Sequence, residues 1–124
     1  MMKLTPLMTS LMIGLSALAA TDVTAQDRPT HCGATPSNPP VVPDGSKATT
    51  DAILNARKSV LAYTDAVDAY IKCMESRARF IAPYMSKEQL TRYDEDMADL
   101  NNGLRELQIS LNKAIRAYRA KKSK

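Results

Sequence analysis

Thiol and imidazole chemistry rests on three residues of this chain: His31, Cys32 and Cys73. Cys32 heads the stretch "HCGATPSNPPVVPDGSKATTD", whose prolines suit neither a helix interior nor a central strand. The second cysteine lies 41 positions later, in "YIKCMES". Three uses are open to such a pair. A reactive thiol needs a general base such as histidine or a C-x-x-C partner, and Cys73 has neither nearby in the sequence. A metal would find His31 and Cys32 adjacent, with no other histidine to complete the set. A disulfide needs only that the two residues meet in an oxidising compartment.

Other chemistry is thinner still. "YDEDMADLNNG", Tyr93 to Gly103, is the densest acidic patch. A calcium loop wants oxygens at its first, third and fifth positions and glycine at the sixth. Counted from Asp94, the fifth is Ala98 and the sixth Asp99, so the pattern fails. The only histidine adjoins Cys32, which leaves no serine, histidine and acid set for a triad, and no glycine-rich phosphate loop occurs. Catalysis is not expected, nor is any cofactor. The net charge of +4 is uneven, because Arg105 to Lys124 holds seven basic residues against Glu106 alone. Arg116, Arg119, Lys121, Lys122 and Lys124 are therefore candidates for contact with an anionic surface, although cations at a helix C-terminus also favour the helix dipole. Nucleic-acid binding has charge on its side but no motif, and export argues against it.

Export is read from the first residues. Lys3 precedes "LMTSLMIGLSALAA", Leu7 to Ala20, an apolar run of signal-peptide length. Small or β-branched residues in Val23-Thr24-Ala25 mark a cleavage site after Ala25, which assigns 1–25 to a signal peptide and leaves no later transmembrane segment. Residues 26–48 form an extended arm carrying five of the seven prolines, with a turn expected at Pro43-Asp44-Gly45. Two helical patterns follow, over about 49–82 and about 87–121. In the first, Ile53, Val60, Val67, Met74 and Ile81 recur every seventh position, with Ala56, Tyr63 and Tyr70 three residues on. Thr49 or Thr50 caps its start and Pro83 ends it. The second opens with Ser86 and Gln89 as a capping box and runs through Leu90, Tyr93, Met97, Leu100, Leu104, Leu107, Leu111, Ala114 and Tyr118. The short connection forces an antiparallel pair. The fold class is all-α: a long, coiled-coil-like two-helix hairpin with an N-terminal arm.

These elements decide what the cysteines are expected to do. Thr50 to Cys73 spans about 35 Å of helix, and Cys32 to Thr50 reaches about 56 Å in polyproline conformation. The arm can therefore fold back along the first helix and join Cys32 to Cys73, laying Val41 and Val42 over apolar surface such as Leu54 and Leu61. Closing a 41-residue loop is worth up to about 4 kcal/mol, a large share of the roughly 5–15 kcal/mol typical of a small domain.

The ordered features "CGATPSNPPVVPDG", "ATTDAILNARKSVLAY" and "YIKCM" resemble a group of small exported bacterial proteins. In that group a cysteine- and proline-rich segment ending in Pro-Asp-Gly precedes a helix with a Tyr-x-x-Cys element. The resemblance covers about Cys32 to Met74 and implies a bacterial periplasmic setting and paired cysteines, with no activity attached. The whole reads as an exported envelope protein acting as a structural or protein-interaction module. Leu54, Ile109 and Ile115 are left over to pair with a second copy or an envelope partner. The alternatives are an anionic-surface binder through the basic tail and a thiol-redox or metal protein.

Overall fold

A computed structural model describes residues 31–124; the expected signal peptide, 1–25, and the start of the arm lie outside them. Helix α1 runs Thr50–Ile81, a 3-10 turn occupies Ala82–Tyr84, and helix α2 runs Lys87–Lys122. The two helices pack antiparallel as a hairpin, and the described residues contain no strand.

The boundaries follow from local chemistry. Thr49 is the N-cap of α1, its hydroxyl accepting from the Ala52 N–H at 3.1 Å, and Asp51 sits in the first turn. Pro83 falls inside the 3-10 turn, two residues after α1 stops. Ser86 and Gln89 form the expected capping box: the Ser86 N–H donates to Gln89 Oε1 at 2.8 Å, and the Gln89 N–H donates to Ser86 Oγ at 3.2 Å.

The core is a thin seam. Ile53, Ala56, Val60, Val67 and Ile71 of α1 are buried against Leu104, Leu107 and Ala114 of α2. Val67 is the most deeply enclosed side chain and clusters with Ile71 and Leu104, flanked by Tyr63, Met97 and Leu100. A second cluster joins Ile53 and Ala114 to Ala48 of the arm, with Val42, Ile115 and Tyr118 packed around it. Toward the turn the seam loosens: Met74, Ala78, Ile81, Leu90 and Tyr93 are only half-buried.

Two sequence expectations about the arm need correction. The turn spans Asp44 to Lys47, one residue later than Pro43-Asp44-Gly45, with the Lys47 N–H donating to the Asp44 carbonyl at 3.1 Å. The Asp44 carboxylate selects that register by accepting from the Ser46 N–H at 3.0 Å and the Ser46 hydroxyl at 2.7 Å. The valines also part company. Val42 joins the Ala48–Ile53–Ala114 cluster, whereas Val41 is 89% exposed, and Leu54 and Leu61 stay uncovered at 48% and 63%. In extended chain neighbouring side chains point opposite ways, so a segment docked by Val42 turns Val41 outward.

Candidate functional site

The arm and the two flanks of α1 make up the parts of the molecule with something to do. Cys32 and Cys73 are joined in a disulfide with their Cα atoms 5.7 Å apart. No free cysteine remains. His31 is exposed, its Nδ1 accepting from the Gly33 N–H at 2.9 Å. Among the described residues, no group of three or more His, Cys, Asp and Glu side chains is placed to hold a metal ion.

From the disulfide the arm descends along one groove between the helices, and polar pins hold it there. The Thr35 and Tyr70 hydroxyls share a hydrogen bond of 2.9 Å. Gly45 then packs directly on α2: a Cβ built there would fall 1.8 Å from the Ala114 carbonyl oxygen and 2.9 Å from its Cα. Only a residue without a side chain lets the arm approach a helix backbone this closely. At the end of α2 the Lys121 ammonium donates to the Ala48 carbonyl at 3.0 Å. The Tyr118 hydroxyl shares a hydrogen bond with that of Thr50, and Lys121 and Lys122 lie 5.8 and 5.4 Å from the Tyr118 ring centre. The Thr50 hydrogen bond, with Lys122 next, pulls the Tyr118 pKa below the ordinary tyrosine value.

The basic candidates therefore divide. Arg116, Arg119 and Lys124 are exposed, whereas Lys121 is tied to Ala48 and, with Lys122, rests near Tyr118. Sequence reasoning missed the work of Lys121, Tyr118 and Gly45 in closing the arm. A lysine seven residues beyond Ala114 carries no sequence sign of its acceptor; the glycine after Asp44 signalled a turn but not what lies beneath it.

The opposite flank is different. At about 100° per residue, Tyr70 and Cys73 stand on one side of the buried stripe of α1, and Leu54, Lys58 and Leu61 on the other. There a groove of about 670 Å³ lies open, lined by Leu54, Val60, Leu61 and Leu111 with Arg57 and Lys58 at its rim. Of the residual apolar positions, Leu54 and Ile109 are exposed, while Ile115 is taken into the lower cluster. A smaller groove beside Thr35 is more polar, with Asp96 and Asp99 next to Tyr70 and Tyr93. Burial, followed by the nearby Glu75 and Asp94 carboxylates, raises the Tyr93 pKa.

No protein-family model, curated protein or solved structure matches the chain. Its chemistry has to be read from its own surfaces: one flank carrying a covalently anchored arm, the other apolar and open. Among the described residues, no helix is long and apolar enough to cross a membrane.

Proposed function

We propose that this chain is an exported, non-catalytic protein of the bacterial envelope that works as a structural or protein-interaction module. The observation that carries the reading is the open apolar groove over Leu54, Leu61 and Leu111, on the flank of the hairpin that the arm leaves uncovered. Contiguous apolar surface rimmed by charge is what helix-binding proteins offer to a partner. The disulfide fits an oxidising compartment such as the periplasm and commits both cysteines to structure, which speaks against the thiol-redox alternative.

Photo-crosslinking from position 61 in the exported protein tests this reading. Discrete protein adducts from position 61, absent when the crosslinker is moved to the arm-covered flank, are expected. Adducts to lipid alone, from the tail and not from position 61, would overturn it.

The anionic-surface alternative keeps a specific basis in the exposed Arg116, Arg119 and Lys124. It predicts salt-dependent cosedimentation with anionic vesicles that is lost when these three residues are made neutral. Lys121, tied to the Ala48 carbonyl, keeps its charge but is held in place.

A further inference from the structure

Along the exposed flank of α1, charge alternates with a fixed period. Asp51, Lys58, Asp65 and Lys72 recur every seventh residue as minus, plus, minus, plus, and all four are exposed. Seven residues are two helical turns, about 10 Å, so these side chains are too far apart to pair with their like-spaced neighbours in the same helix. Leu54 and Leu61 lie between them on the same flank, beside the open groove. The arm contacts α1 at Tyr70 and Cys73, on the other flank, and leaves this stripe clear.

In a closed two-fold pair, an alternating row of this kind is complementary to itself only when antiparallel. Laid parallel and in register, two copies set Asp51 on Asp51 and Lys58 on Lys58. Laid antiparallel about a two-fold axis near Leu61 and Ala62, they set Lys58 against the partner's Asp65 and Asp51 against the partner's Lys72. Each pair is then made twice, as an isologous contact requires. In the same arrangement the two Leu61 side chains approach across the axis and enter the facing grooves, where exposed apolar surface is removed from water. Arg57, at the rim, comes near the partner's Asp68.

We propose that the partner of this groove is a second copy of the chain, docked antiparallel through the Asp51–Lys72 flank of α1 to give a four-helix dimer with the two arms outermost. This rests on the interaction-module reading and names its partner. The alternating charges set orientation and register, and the leucines supply the attraction.

Sedimentation equilibrium of the oxidised protein, up to about 1 mM, tests the proposal. The wild type is expected to dimerise, more weakly as salt rises. Either Lys58→Asp or Asp65→Lys creates two like-charge contacts across the axis and should weaken the dimer about tenfold. The double variant K58D/D65K restores opposite charges in the antiparallel register and should recover the wild-type constant. Leu61→Glu should leave a monomer. All three positions named are solvent-exposed in the single chain, so circular dichroism and the intact disulfide verify that each variant is folded. A wild type monomeric throughout, or a double variant no tighter than the single ones, overturns the proposal. A monomer that still crosslinks from position 61 to a different protein defeats the dimer alone; a dimer with no other crosslinked partner supports it without help from that experiment.

Discussion

Gly45 and Gly103 are both glycines on or against α2, yet their replacement by alanine should act in opposite directions. At Gly45 the new methyl would collide with the Ala114 backbone, which cannot swing away as a flexible side chain could. Gly45→Ala is expected to destabilise the protein by about 1–3 kcal/mol. At Gly103, inside α2, a Cβ meets nothing within 4 Å. Gly103→Ala should therefore stabilise the helix by about 0.5–1 kcal/mol. Urea denaturation of the two variants beside the wild type measures both signs. Asp44, in the turn that delivers Gly45, adds a pH dependence. Hydrogen bonds from the Ser46 hydroxyl and then the Ser46 N–H hold its pKa below the ordinary value of 3.8. A carboxyl depressed in the folded state stabilises it above the unfolded pKa, and that stability is lost as pH falls through the folded one. Ser46→Ala should move the Asp44 titration, followed by NMR, upward and flatten the acid limb of the stability curve. Little of this was legible beforehand. A glycine and an aspartate announce a turn through their own backbone preferences, but the surface a turn lands on is a tertiary fact.

The helices were far more legible than the arm, because periodicity and caps are local signals. Ile53, Val60 and Val67 are buried where the seven-residue repeat places them, and the Ser86–Gln89 box forms as its spacing requires. The pairing of Cys32 with Cys73 was also open to sequence reasoning, since chain reach and an even cysteine count are arithmetic. The flank taken by the arm was not. It is chosen by the angular position of Cys73 on α1 together with the fit of Gly45, Val42 and Ala48 over Ala114 and Ile53, and this leaves Leu54 and Leu61 bare where cover was expected. The arm lies alongside the helices without a ladder of backbone hydrogen bonds of its own, so its hold depends on the disulfide and a few side-chain pins. The double variant Cys32→Ser/Cys73→Ser should lose about 2–4 kcal/mol of stability, as expected for opening a 41-residue loop. Its urea midpoint, compared with that of the oxidised wild type, checks the size of the effect, and comparison with the reduced wild type checks whether breaking the bond alone accounts for it. Tyr70→Phe removes the Thr35 hydrogen bond while keeping the ring, and should cost about 0.5–1.5 kcal/mol.

Across the whole molecule, burial is graded from one end of the hairpin to the other. At the open ends of the helices, three segments converge: the arm brings Val42, Gly45 and Ala48, α1 brings Ile53, and α2 brings Ala114 and Tyr118. At mid-length Val67, Ile71 and Leu104 form a second enclosed cluster just short of the disulfide. Beyond Cys73 none of the described arm residues lies against the helices, and two helices alone cannot enclose a side chain on every flank. Met74, Ala78, Ile81, Leu90 and Tyr93 stay half-buried, and Tyr84 at the turn is 89% exposed. Local opening free energy follows buried apolar contact, so the turn end should open first and without disturbing the rest. Native-state amide exchange should show the least protection around residues 78–92, capping box included, and the most around 56–71 and 104–114. Reducing the disulfide sharpens the test. If the arm stabilises the open-end cluster by being held on it, reduction lowers protection around Ile53 and Ala114 and leaves the already labile turn end almost unchanged. Equal loss at both ends would show instead that the hairpin opens as one unit, with the arm acting only through global stability.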